Sequence, residues 1–352
     1  MDSTSHDFLR ELLNTPSPSG YEEPVQKLVR EYVQDFADEV RTDSHGNVIT
    51  VMNPAAPMRV MFAGHADQIG LIVQYIDDEG FLYVRNIGGW DPQVLLGQRM
   101  SVWSDSGPHL GIIARKPIHL LTDEERKRVV ELKDLWIDIG ASSREEADEL
   151  VRVGDAVTVE LGYHALRNGL ACAPAMDNKT GLWVVLEAMR RLSGESLNCA
   201  LYSVSTVQEE IGLRGATTSA FGVDPHVAVA VDVTHATDCP TIDKKREGDI
   251  RLGAGPVIYR GPNMNPRVVT RLFEAAKRAD LAAQIGAMNR ASPTDANALQ
   301  LNRTGVATGL VSTPNRYMHS PVEMISLDDL DQGATLLAEF VRGLTPDADF
   351  TP

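Results

Sequence analysis

The chain has 352 residues, 43% of them apolar and 23% charged, with a formal net charge of −16. That length is enough for two domains and a sizeable core, and the composition is ordinary for a globular protein. The acidic balance argues against nucleic acid and anionic membrane as main partners, because both reward clusters of Lys and Arg.

No apolar run approaches the roughly 18 residues needed to span a bilayer. The polar start, MDSTSHDFLR, lacks the apolar stretch of a secretory signal. Cys172, Cys199 and Cys239 are scattered and form no CxxC pair. They read as small core residues in a reducing compartment, so a cytoplasmic location is expected.

Residues 5–36 read as an amphipathic helix, the breaker TPSPSG, and a second helix. Phe8, Leu9, Leu12 and Leu13, then Val25, Leu28, Val29, Tyr32 and Val33, recur at helical spacing. Residues 43–52 turn at His45-Gly46-Asn47 into a strand, and a further strand over 59–62 runs into Ala63-Gly64-His65-Ala66-Asp67. From 69 to about 159 the texture changes. Short alternating strands (GLIVQYI, GFLYVRNI, RMSVWS, HLGIIA, DAVTVEL) are separated by Gly-rich turns, with one clear helix over 144–150. This is the pattern of a small β-rich domain, barrel or sandwich-like. Within it the charged segment 122–133 reads as a mobile loop or a short helix on a solvated surface.

After Gly169 the α/β texture returns. MDNKTG precedes a strong helix over 182–192, and a buried strand over 198–207 runs into Glu209-Glu210. A helix over 215–221, a strand over 227–233 containing Asp232, and a Gly- and Pro-rich stretch over 253–266 follow. Then come a helix over 266–279, a strand over 282–286, a helix over 294–302, a strand over 306–311 and a closing helix over 326–344. The economical interpretation is one α/β domain, residues 1–68 and 163–352, interrupted by a β-domain at 69–162.

Several apolar runs end in a polar group: VMFAGHAD, LYSVSTVQEE, VAVAVDV and GLVSTPNRYMHS. Functional groups of open α/β sheets collect at the carboxyl ends of strands, and buried unpaired carboxylates are costly. Together these endings and Asp177 supply two imidazoles and several carboxylates, the ligand chemistry of a pair of divalent transition metals. Nitrogen with oxygen suits Zn, Co or Mn rather than Ca or Mg. Adjacent strand residues face apart, so one of Glu209 and Glu210 can hold metal while the other moves protons.

The segments GHADQIG, AMDNKTG, VQEEIGLRGA, VDVTHATDCP and YMHSPVEMI, in this order, resemble the successive motifs of the M42 metallo-aminopeptidases, the glutamyl and tetrahedral aminopeptidase family. IGGWDPQVLLGQR, WIDIGASSREEA and GPVIYRGPNMNP also match in kind, so the resemblance runs from about Tyr21 to Leu344. It implies a three-layer α/β/α zinc-peptidase-like domain with an inserted β-rich, barrel or PDZ-like domain that helps to assemble copies of the chain. It also implies a cytoplasmic enzyme with two divalent metal ions per chain that removes N-terminal residues from short peptides. Carried over by motif, His65 and Asp232 resemble the ligands of one metal, Glu210 and His319 those of the other, and Asp177 the bridging carboxylate. Glu209 resembles the general base that activates a metal-bridged hydroxide, and Asp67 the carboxylate that orients a ligand histidine. His235 is a candidate for contact with substrate. Gln68 departs from the family, which often has Glu there, and reads as structural. Partners implied are short peptides and further copies of the chain, in a dimer-built homododecamer.

Other readings remain. An M20-type carboxypeptidase or deacylase shares similar ligands, but its extra domain follows the glutamate pair, whereas here the β-rich stretch precedes Asp177. A glucanase label occurs among relatives, yet a glycosidase needs two carboxylates and no metal pair. A non-catalytic relative would have lost Glu209 or a ligand, and none is lost.

Overall fold

The computed structural model describes residues 1–352. Its centre is an eight-stranded sheet in the order Glu39–Thr42, Val48–Met52, Ala200–Thr206, Arg59–His65, Val227–His235, Ala307–Asn315, Val257–Arg260 and Gln284–Ala287. The four inner strands, 200–206, 59–65, 227–235 and 307–315, are mutually parallel. They are near-continuous apolar runs because helices cover both their faces. Met176–Arg191 and Leu327–Arg342 pack on each other and on the sheet, as do Arg214–Val223 and Asp295–Gln300. This is the three-layer α/β/α arrangement expected from the sequence. Ser3–Asn14 adds to the first layer through Trp183, which is fully buried and donates from Nε1 to the carbonyl of Ser5 at 2.8 Å.

Six strands of the segment 70–159 close into an antiparallel barrel, in the order Gly70–Ile76, Leu82–Ile87, Trp136–Asp138, Gly107–Ala114, Arg99–Ser104 and Ala156–Val159. Its interior is a separate apolar cluster that includes Leu71, Val73, Leu82, Met100, Val102, Ile113, Leu135, Ile137 and Val157. The charged stretch 122–133 holds a four-residue helix, Asp123–Arg126, with a complete Thr122–Glu125 capping box. Most of its side chains are exposed, while Val130 is buried in the barrel cluster.

A small sheet of His164–Ala165, Leu170–Cys172 and Met324–Ser326 joins the chain's return from the barrel to its last strand. This pairing brings the start of the Met176 helix beside residues 319–326.

One close approach fixes the geometry of the centre. A Cβ added at Gly64 would stand 2.7 Å from the backbone nitrogen of Leu182. The helix can therefore lie this near the strand only because position 64 has no side chain. We predict that Gly64→Ala destabilises the protein by about 1–3 kcal/mol, the usual range for overpacking. Gly222→Ala, where a Cβ meets nothing within 4 Å, should be neutral or slightly stabilising. Denaturant unfolding of both variants checks this, and equal stabilities would refute the steric argument.

Candidate metal centre

Parallel strands share their carboxyl ends, and the candidate residues gather at that edge. His65 closes the strand Arg59–His65, and Asp232 lies three residues before the end of Val227–His235. Glu209 and Glu210 follow Ala200–Thr206, and His319 follows Ala307–Asn315. Asp177 enters from the start of the Met176–Arg191 helix, where Asp177 and Asn178 depart from helical angles.

His65 is 1% exposed, and its Nε2 lies 3.3 Å from Asp177, 3.8 Å from Asp232 and 3.8 Å from Glu209. Its Nδ1 lies 3.1 Å from the carbonyl of Asp67 and 3.3 Å from the Asp67 carboxylate. That side of the ring is the natural place for the proton, which leaves Nε2 free as a ligand. His319 repeats the arrangement. Its Nε2 lies 3.3 Å from Asp177 and 3.5 Å from Glu210, and its Nδ1 lies 2.9 Å from the carbonyl of Gly89. Asp177 therefore presents Oδ1 to one histidine and Oδ2 to the other.

Asp67 is fully buried and does more than face His65. It accepts from the backbone nitrogens of Glu209 at 3.0 Å and Glu210 at 3.1 Å, and from the Ser19 hydroxyl at 2.6 Å. The two glutamates lie in a turn beyond the strand rather than on it. Gln208 adopts a left-handed φ of 55°, and it is this turn, not strand alternation, that sends Glu209 toward His65 and Glu210 toward His319.

The electrostatics are those of an acidic cluster short of cations. Burial, opposed by His65 and reinforced by Asp232, Asp295 and Glu210, pushes the Glu209 carboxyl well above its usual range. Burial does the same at Asp232, again against His65, and raises Glu210. Asp177 goes the other way. Burial alone would raise it, but His319 and His65 on either side hold it below the carboxylate range. The neighbouring carboxylates of Asp177 and Glu210 push His319 up to about 11.

These donors fit divalent metal. Ligand atoms of His65, Glu209 and Asp232 lie within 4.8 Å of one another, and so do those of Asp177, Glu210 and His319. Four-coordinate ligands about 2.0–2.2 Å from a zinc ion stand about 3.3–3.6 Å apart, close to the nitrogen–oxygen separations here. Glu210 Oε1 is buried without a hydrogen-bond partner, as expected of an oxygen kept for a cation. Distance alone does not separate Glu209 from the ligands.

The remaining candidates lie further out. His235 is exposed on the wall of the cleft of about 1330 Å³ that contains the cluster. Gln68 is buried away from the metal side, accepting from Lys179 Nζ at 2.8 Å, and burial pushes that lysine down to about 7. Two contacts were not legible in the sequence: the Gly89 carbonyl on His319, and the buried Glu323, which accepts from the backbone nitrogens of Asp177 and His319. Glu323 stands inside the motif YMHSPVEMI, but an acceptor for backbone N–H carries no residue pattern of its own.

The chain is similar to known proteins along nearly its whole length. The profile of the M42 glutamyl aminopeptidases matches residues 46–336. A lysyl aminopeptidase of Pyrococcus furiosus is 37% identical over 98% of this chain and 99% of its own. A TET aminopeptidase structure from a marine-sediment Thaumarchaeota archaeon is 38% identical, with a TM-score of 0.93 over 97% of this chain and 96% of that one. The TET1 peptidase of Pyrococcus horikoshii, which can assemble into a tetrahedron or a large octahedral shell, is 32% identical, with a TM-score of 0.86 over 97% and 100% of the two chains. A Thermotoga maritima structure labelled an endoglucanase is also similar, 28% identical with a TM-score of 0.76 over 95% and 96%. Two histidines facing one carboxylate at the strand ends, a barrel inserted before that carboxylate, and whole-chain similarity to these enzymes lead to one conclusion: the chain belongs to the M42 family of aminopeptidases.

Proposed function

We propose that the protein is a binuclear metal-dependent aminopeptidase that removes N-terminal residues from short peptides. The observation that carries this is Asp177, whose two oxygens each stand 3.3 Å from a different histidine. In this reading His65 and Asp232 hold one ion, Glu210 and His319 the other, and Asp177 bridges them. Zn and Co suit the donor set, and Mn is compatible with it. Held by these residues, divalent ions would supply Lewis-acid chemistry, lowering the pKa of water and polarising the scissile carbonyl.

The chain's own groups handle the proton and the substrate. Glu209 takes the proton of the attacking water and returns it to the leaving amine. Asp67 orients His65 and braces the backbone of Glu209 and Glu210. The surplus of carboxylates attracts a protonated α-amine, which favours free N-termini, and His235 on the cleft wall contacts substrate. A glycosidase has no use for paired imidazoles, and the barrel's position before Asp177 supports M42 over M20 chemistry.

Residues 1–68 and 163–352 form the catalytic unit in this reading, and 69–162 the unit through which copies associate, dimers building a dodecamer. The barrel's separate core and the exposed Leu110, Ile112, Ile118, Leu120 and Val129 support that division. Free Cys172, Cys199 and Cys239 support a cytoplasmic location, and no helix is long and apolar enough to cross a membrane.

Chelation should remove about two divalent ions per chain together with hydrolysis of aminoacyl chromogenic substrates, and added Zn, Co or Mn should restore it. Full activity after complete metal removal would overturn the reading.

The two glutamates should separate. Glu210→Gln is expected to weaken one ion, with partial rescue by excess metal. Glu209→Gln should keep both ions and lose at least about 10²-fold in kcat, the lower end for acid–base groups. Metal analysis and turnover measured side by side decide this. Loss of an ion only in Glu209→Gln would exchange the two roles.

The combined change Leu110→Asp and Ile112→Asp alters side chains 61% and 52% exposed, so each chain should stay folded while the assembly shrinks. Light scattering measures the mass, and an unchanged assembly would exclude this face.

A further inference from the structure

We infer that Glu323 is a positioning residue shared by both halves of the metal centre: its two oxygens fix the backbone of Asp177 and of His319 and so set how far apart these ligands stand. The inference rests on the binuclear reading above and adds to it a residue outside the ligand set.

Glu323 is 2% exposed and makes no direct ion pair with Lys or Arg, the buried Lys179 interacting with its charge only from a distance. Burying a carboxylate without a cation is expensive. An apolar residue or an amide would fill the same space more cheaply, so the carboxylate must serve its two contacts.

Both contacts are backbone groups of ligand residues. Oε2 accepts from the nitrogen of Asp177 at 2.9 Å, and Oε1 from the nitrogen of His319 at 2.7 Å. Neither N–H can be satisfied by regular structure. Asp177 has φ −78° and ψ 105° at the irregular start of its helix, and His319 has a left-handed φ of 59°. A non-glycine residue holds such a conformation only when its surroundings determine it.

Glu323 is itself fixed. It immediately precedes the strand Met324–Ser326, which pairs with Leu170–Cys172 in the register Cys172↔Met324. Its carbonyl accepts from the nitrogen of Ala173 at 3.1 Å. The small sheet therefore places one carboxylate between the two ligand segments. His65 is independent of it, because Asp67 holds that ring. Loosening Glu323 should thus affect the ion between Asp177 and His319 more than the ion beside His65.

Glu323→Gln tests this. The amide has nearly the same shape but one acceptor oxygen, so one of the two N–H groups must face an NH2 group. Equilibrium dialysis with Co²⁺ should show one ion bound about 10–100-fold more weakly, the usual effect of losing an outer contact to a metal ligand, with the other ion unchanged. The visible absorption of the Co²⁺-loaded protein should change, and excess metal should restore kcat with KM unaltered. Wild-type affinity for both ions with an unchanged Co²⁺ spectrum would overturn the inference, even if the variant melted earlier, because that result describes a purely structural residue. Should Glu323→Gln fail to fold, Glu323→Asp keeps two acceptors on a shorter stem. Weaker binding of the same ion supports the inference, and unchanged binding of both overturns it. Wild-type protein that bound neither ion would instead overturn the binuclear reading, and this inference with it.

Discussion

The structure is governed by the burial of several carboxylates in one place. Asp67, Asp177, Glu209, Asp232 and Glu323 are all at most 9% exposed, with only His65, His319 and the buried Lys179 near them as potential cations. In a region of low polarity such a cluster repels itself unless protons or metal ions neutralise it. The rest of the fold can be understood as the apparatus that keeps these groups together. Parallel strands bring their carboxyl ends to one edge. Gly64 lets the Met176 helix come close enough to deliver Asp177 beside His65. Backbone N–H groups aimed at Asp67 and Glu323 stabilise carboxylates that have no lysine or arginine.

The barrel belongs to this apparatus as well as to the surface. Its Gly88-Gly89 turn reaches the centre, and at Gly88 contact leaves no room for a side chain. A Cβ at Gly88 would lie 2.6 Å from Ile69 Cγ2, and one at Gly89 would lie 3.4 Å from His319 Nδ1. The carbonyl of Gly89 fixes the proton side of the His319 ring. The barrel segment thus supplies one orienting contact to a histidine that follows the strand Ala307–Asn315.

Much of this was legible in the sequence. The strand GLIVQYI coincides with Gly70–Ile76 because alternation reports a surface with one buried face. The inner strands were legible as apolar runs ending in polar groups. Trp136–Asp138 was not, since three residues are too few for any period, although this strand completes the barrel. Val257–Arg260 was hidden in a Gly- and Pro-rich stretch, whose composition reports turns more strongly than a short strand between them. At the site, side-chain chemistry was readable as motifs, and geometry was not. The turn at Gln208, the straddling position of Asp177, and the parts of Gly89 and Glu323 depend on backbone groups, which every residue carries alike.

The positions of the site residues along the chain have a kinetic meaning. The cluster draws on residue 65 near the beginning, 177, 209, 210 and 232 in the middle, and 319 near the end. Its last imidazole follows a strand, Ala307–Asn315, that must pair with Val227–His235 across a long intervening stretch. Contacts so distant in sequence form late, because loop closure must precede them. During synthesis the carboxylates therefore exist for most of the time without their second histidine. Metal would find the position that needs His319 complete only when the native topology is nearly formed, so at that position it cannot guide early folding. It acts on the finished state by mass action, and its kinetic effect falls on the rate of unfolding. The same cluster that disfavours the empty fold becomes, once loaded, a lock on the full one.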